Sequence, residues 1–236
     1  MALPPNLLFL PGLVCDARLW HHQVSGLADV THSRVADLAG GESIQALASS
    51  ALAQAPAGPL AIAGLSMGGY VALEIMRQAP GRVRALALLD TSARPDPPEG
   101  VEARRSLIEK AESHYDAVVD ELIPKLVHPD HLADAGQVGL IKAMAHAMGK
   151  EVFRRQQRAM MERMDSRPGL KDIQCSTLVL CGRQDAITSV EVHEEMAAGI
   201  QGANLVILED CGHLSPLGQP RAVTDALRAW LMSAGN

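Results

Sequence analysis

Two hydrophobic rhythms alternate along this chain. Short apolar runs near Leu7 to Leu10, Ser33 to Asp37, Leu60 to Gly64, Val83 to Leu89, Thr177 to Cys181 and Leu205 to Leu208 each close on Gly, Asp or another turn residue. Longer stretches between them, near Gly41 to Gln54, Met67 to Ala79, Val190 to Ile200 and Pro220 to Ala234, carry apolar residues three and four apart. Runs of the first kind suit strands buried on both faces, and stretches of the second kind suit amphipathic helices. Their alternation predicts an α/β fold with a mostly parallel central sheet flanked by helices. The helix beginning at Met67 has a marked end in Pro80 and Gly81, which cannot continue it.

Residues 96–175 break this alternation. They contain no strand-like run and show only helical spacing: Ile141, Met144, Ala145 and Met148 fall at i, i+3, i+4 and i+7, and Phe153, Met160, Met161 and Met164 continue the stripe. The segment also holds 12 of the chain's 21 Lys and Arg residues. It is predicted to be a helical cap at 96–175, inserted into a core made of residues 1–95 and 176–236. Its methionines suit two uses, the packing of helices on one another and the lining of an adaptable pocket.

Composition narrows the function classes. The 236 residues are 47% hydrophobic with a formal charge of −6, and no run of Lys or Arg exceeds two, so the chain lacks the basic footprint of a nucleic-acid binder. The uncharged stretch from Ser43 to Leu73 is broken by Gln45, Gln54, Pro56 and Pro59 and is not expected to span a membrane. Met1 to Leu10 has no basic residue and does not read as a signal peptide. Four cysteines without a C-x-x-C pair predict reduced thiols in a cytoplasmic protein. Cys211 and His213 alone are too few for zinc, so neither metal nor cofactor is expected.

The chemistry concentrates at three places. Gly64-Leu65-Ser66-Met67-Gly68 matches G-x-S-x-G, between the strand-like Leu60 to Ala63 and the helix-like Tyr70 to Ile75. A serine on so sharp a strand-to-helix turn stands clear of the sheet, with the positive end of the helix dipole behind it. Its hydroxyl needs a base, usually a histidine oriented by a carboxylate. His213 follows a strand and a glycine turn, whereas His193 sits among Glu191, Glu194 and Glu195 on a helix, and His21 and His22 read as surface or loop residues. For the acid, Asp185 just beyond a strand competes with Asp90 at the end of another, while Asp210 falls on the wrong side of its turn and reads as solvated. Ser66, Asp185 and His213 would all lie at the carboxyl edge of the sheet. An oxyanion would be held by the backbone N–H of Met67 and by that of Leu13, after the Pro11-Gly12 turn.

Taken together, Gly64 to Tyr70, Gly182-Arg183-Gln184-Asp185 and Gly212-His213 resemble the three catalytic stations of the α/β-hydrolase superfamily, in the order Ser, Asp, His, and the likeness spans nearly the whole chain. It is similar to the branch of small bacterial esterases, enol-lactonases and proline-iminopeptidase-like hydrolases. Two departures stand out: Pro11-Gly12 replaces the His-Gly common before the oxyanion residue, and the early first strand suggests a sheet without the usual antiparallel strands. The serine argues against the dehalogenases and epoxide hydrolases of this fold, which use an aspartate. The resemblance implies a serine hydrolase that cleaves a small carboxylic ester through an acyl-enzyme. Thioester, lactone or carbon–carbon cleavage, or a lyase step, would use the same residues, and a ligand-binding protein on this scaffold is the remaining alternative.

Overall fold

The computed structural model describes residues 6–234. Strands β1 (Asn6–Leu10), β2 (Ser33–Val35), β3 (Leu60–Leu65), β4 (Val83–Leu89), β5 (Ser176–Gly182) and β6 (Asn204–Leu208) form one sheet in the order β2-β1-β3-β4-β5-β6. Every pairing is parallel, and no antiparallel strand joins the sheet among the described residues. The helices are α1 (His21–Gly26), α2 (Ile44–Gln54), α3 (Met67–Gln78), α4 (Pro98–Leu126), α5 (Ala135–Met161), α6 (Val190–Gly199), α7 (Ser215–Gly218) and α8 (Pro220–Ala234).

Alternation along the strands divides the core in two. Leu8, Leu10, Ile62, Leu88 and Val179 point to the face covered by α2, α3 and α6. Leu7, Phe9, Ala63, Ala87 and Leu180 point to the face covered by α1 and α8. Both faces are dry, which is why these strands read as continuous apolar runs rather than as an apolar/polar alternation.

Most boundaries fall within a residue or two of the sequence pattern, and the exceptions have local causes. Helix α2 starts at Ile44 rather than Gly41 because Ser43, in extended backbone, caps it by accepting the Ala46 N–H at 3.1 Å. Strand β2 stops at Val35: the Ala36 N–H still reaches the Phe9 carbonyl at 2.9 Å, but the Asp37 N–H turns to Gln54 Oε1 at 2.8 Å. The short helices α1 and α7 are additional to the elements the pattern predicts, because at six and four residues they are too short to carry a periodic signature.

The segment between β4 and β5 is helical throughout its long elements. Helices α4 and α5 pack on each other, and each bends where its backbone leaves helical geometry, at His114 and at Gly149 with φ 78°. The bends are tied together by the Tyr115 hydroxyl donating to the Ala145 carbonyl at 2.8 Å and Lys150 Nζ donating to the Glu112 carbonyl at 3.0 Å. Val118, Val119, Ala145 and Phe153 form a third apolar cluster together with Val14 from the loop after β1. No described helix is long and apolar enough to cross a membrane.

Candidate active site

The strand order reverses at β1, so the loops leaving β1 and β3 diverge at the carboxyl edge of the sheet and open a crevice between them. Ser66 stands at this point, between β3 and α3, with φ 55° and ψ −116°. That strained conformation is held from both sides. The Ser66 N–H donates to the Leu89 carbonyl at 3.0 Å, and its carbonyl accepts from Thr91 Oγ1 at 2.8 Å. A Cβ on Gly64 would overlap the Gly68 carbonyl, and one on Gly68 would overlap the Leu10 carbonyl, so only glycine lets strand, turn and helix pack this closely.

His213 and Asp185 arrive from the loops after β6 and β5. His213 Nε2 lies 2.8 Å from Ser66 Oγ, and His213 Nδ1 lies 2.9 and 2.8 Å from the two carboxylate oxygens of Asp185. The carboxylate also accepts the N–H groups of Ile187 at 2.8 Å and Thr188 at 2.9 Å and the Thr188 hydroxyl at 2.6 Å. Three donors besides the imidazole mark it as an anion, so His213 carries its proton on Nδ1 and turns an unprotonated Nε2 toward the serine. Burial alone would raise Asp185; the His213 charge and the hydrogen bonds outweigh it and hold the carboxyl down, at about 2. Burial alone would lower His213, but the Asp185 carboxylate beside it holds the imidazole above its ordinary 6.5.

Asp90 does not reach the imidazole. It is fully buried, takes the Gly182 N–H at 3.0 Å and the Ser215 hydroxyl, and so ties the ends of β4 and β5 to the loop that follows His213. Burial and the nearby Asp185 charge push it up. His193 is also fully buried: it donates from Nδ1 to the Ser189 carbonyl and accepts the Thr91 N–H at 2.9 Å, fastening α6 beneath the Ser66 turn. His21, His22 and Asp210 are exposed, the histidines opening α1 rather than lying in a loop.

The loop after β1 forms a turn in which the Cys15 N–H donates to the Gly12 carbonyl at 3.1 Å. Its third residue is Val14, with φ 46°, a costly conformation for a β-branched side chain. The N–H exposed by this turn, that of Val14, donates to Gln156 Oε1 at 2.8 Å, and Gln156 Nε2 donates to the Leu38 carbonyl at 3.0 Å. With Val14 and Cys15 so engaged, the Leu13 N–H makes no hydrogen bond among the described residues, and neither does that of Met67 at the start of α3. Cys15 lines the same space, but burial pushes its thiol up to about 12, so it is not a competing nucleophile.

Ser66, His213 and Leu13 open onto a cavity of about 310 Å³ under α4 and α5. The methionine-rich stripe divides between its two expected uses: Phe153, Ala145 and Met160 line the cavity, whereas the fully buried Met144 packs against the sheet side of the core. One wall is polar. Arg104 Nε pairs with Asp96 at 2.5 Å, Arg104 Nη1 donates to Gln157 Oε1 at 2.7 Å, and Arg163 Nη1 takes the other Asp96 oxygen at 2.7 Å. Sequence reasoning missed Gln156, Gln157 and this cluster. The signal was there in part: Gln156 and Gln157 stand at i+3 and i+4 from Phe153, on the apolar stripe, where an unpartnered amide would be costly. Among the described residues no group of three or more His, Cys, Asp or Glu stands where it could hold a metal.

Residues 7–226 match a family model described as "Alpha/beta hydrolase family". A pimeloyl-(acyl-carrier protein) methyl ester esterase of Neisseria meningitidis is 31% identical over 194 residues, 76% of this chain and 72% of that protein. An (E)-2-((N-methylformamido)methylene)succinate hydrolase of Acinetobacter baylyi is 24% identical, covering 95% of this chain and 89% of the relative. Among solved structures, a thermophilic esterase from Thermogutta terrifontis superposes with a TM-score of 0.89 at 31% identity, covering all of this chain and 92% of that one. The enol-lactonase from Burkholderia xenovorans LB400, at 23% identity, 98% coverage of this chain and 92% of its own, shares the fold with a TM-score of 0.88.

Proposed function

This chain belongs to the alpha/beta hydrolase family, and from that premise we propose that it is a serine esterase cleaving a small carboxylic ester through an acyl-enzyme. The observation that carries the proposal is the relay from Ser66 Oγ through His213 to Asp185, with contacts of 2.8 to 2.9 Å between side chains from three separate loops. Random packing does not align a hydroxyl, an imidazole and a buried carboxylate in that order; the arrangement is that of an activated nucleophile.

In the proposed reaction His213 Nε2 takes the hydroxyl proton as Ser66 Oγ attacks the ester carbonyl. Negative charge develops on the carbonyl oxygen, and the free N–H groups of Leu13 and Met67 receive it. Asp185 fixes the imidazole tautomer and stabilises the imidazolium. His213 then hands the proton to the leaving alcohol, and a water activated by the same nitrogen releases the acid. Residues 96–175 serve as the cap over a core of residues 1–95 and 176–236, and the cap closes the cavity and holds the Leu13 loop through Gln156. The esterase and succinate-derivative hydrolase among the relatives support hydrolysis of a carboxylic acid derivative, and four unpaired cysteines support a reducing, cytoplasmic setting.

Fluorophosphonate labelling followed by peptide mapping tests the nucleophile. A single adduct on Ser66, lost in Ser66→Ala together with hydrolysis of p-nitrophenyl acetate, is the expected outcome. Full hydrolysis by the purified Ser66→Ala protein would sink the proposal. A panel of esters, lactones, acyl thioesters and β-diketones then identifies the bond, with esters expected to lead by orders of magnitude.

A further inference from the structure

The polar wall of the cavity is unusual in its charge balance. Asp96 is one carboxylate shared by two guanidinium groups, with Arg104 Nε on one oxygen at 2.5 Å and Arg163 Nη1 on the other at 2.7 Å. All three side chains are largely removed from water, 20% exposed for Arg104, 8% for Asp96 and 7% for Arg163. A buried cluster of two cations and one anion keeps a net positive charge, and burying an uncompensated charge is costly unless something answers it.

The excess falls on Arg104. Arg163 is consumed within the fold: besides Asp96 it donates to the carbonyls of Met160 at 2.8 Å and Arg94 at 3.0 Å, and it stacks over the Tyr70 ring at 4.3 Å. Arg104 has five N–H groups, of which Nε and one on Nη2 face Asp96 and one on Nη1 faces Gln157. Two remain, on a guanidinium that lines the same cavity as Ser66 and His213. Lys125, also on the lining, adds to the positive side, and Asp96 is the only acid on it among the described residues. The rest of the wall is mainly apolar, so a second charge on a ligand would be read strongly.

We propose that the substrate is an ester bearing a second, anionic carboxylate, and that Arg104, steadied by Asp96 and Gln157, binds that carboxylate while Ser66 attacks the ester. The inference deepens the esterase reading and rests on it for the reaction. The fit is of a carboxylate to the two N–H groups that Arg104 has left, one on Nη1 and one on Nη2, with charge supplied where the cluster lacks it.

Matched ester pairs test it: monomethyl succinate, glutarate and adipate against methyl butanoate, pentanoate and hexanoate, which replace the carboxylate by a methyl group. The wild-type protein is expected to favour the anionic member of at least one pair by tenfold or more in kcat/KM. Arg104→Gln should lower that anionic-to-neutral ratio at least tenfold, through KM, and Arg104→Lys should lower it less. Asp96 keeps Arg163 in both variants, and circular dichroism checks the fold. Binding of adipate to Ser66→Ala protein, followed by calorimetry with and without Arg104→Gln, separates the two readings. Adipate binding that needs Arg104, without turnover of any ester, would leave the anion site standing and defeat the esterase. Turnover with neutral esters preferred at every length, or a ratio untouched by Arg104→Gln, would overturn the anion site alone.

Discussion

At the scale of single residues, the relay's behaviour follows from two buried groups that shift each other. His213 works as a base only when neutral, and Asp185 raises its pKa above 6.5, so kcat/KM is expected to climb with pH through a midpoint above that value. Asp185→Asn removes the charge that holds the imidazolium, and the midpoint should move to lower pH while turnover falls about 10⁴-fold. A pH–rate profile of both proteins on one ester checks the sign; an unmoved midpoint would show that Asp185 does not face the working imidazole. The same shift acts on stability in the opposite sense. A raised histidine pKa stabilises the fold fully below 6.5, and the contribution is lost as pH rises through the folded value.

At the scale of elements, helix α5 and the loop after β1 depend on each other. Val14 keeps a positive φ because the Gln156 side chain, wholly buried and 142 residues away in sequence, accepts the N–H that this turn exposes. The neighbouring Leu13 N–H is left without a hydrogen bond among the described residues, as its proposed role toward an oxyanion requires. Gln156→Leu should lower kcat by up to about 10²-fold, the cost of one oxyanion donor, with little change in KM. Gln156→Glu, which keeps the accepting oxygen, should restore most of the rate. Steady-state kinetics on a small ester measures the split, and a loss confined to KM would mean that α5 shapes only the binding pocket. Gly12 opens this same turn and Pro11 directly precedes it.

At the scale of the molecule, the cavity is small. About 310 Å³ lies at the lower end of ligand pockets, and Phe153 from α5 forms part of its wall. Activity on p-nitrophenyl esters should therefore peak at short acyl chains and fall toward decanoate. Phe153→Ala should shift the optimum to longer chains; an unchanged profile would place the acyl chain elsewhere. How much of this was legible in the chain follows from range. The core strands, α3 with its glycine-flanked Ser66, and the placement of Asp185 and His213 just past strands are written in local patterns of period two, period 3.6 and turn residues, so the sequence by itself determined the parallel sheet and which three side chains share its carboxyl edge. It favoured Asp185 over Asp90 as the partner of the imidazole, but both end strands and no local pattern excludes Asp90; the fold turns Asp90 to Gly182 and Ser215 and Asp185 to His213. Nor could it pair Gln156 with Val14, Gln157 with Arg104, or two arginines with Asp96. Apart from Asp96 and Arg104, eight residues apart, those contacts join residues distant in the chain; their geometry comes from how α4 and α5 bend and settle on the core, and no local pattern encodes that docking.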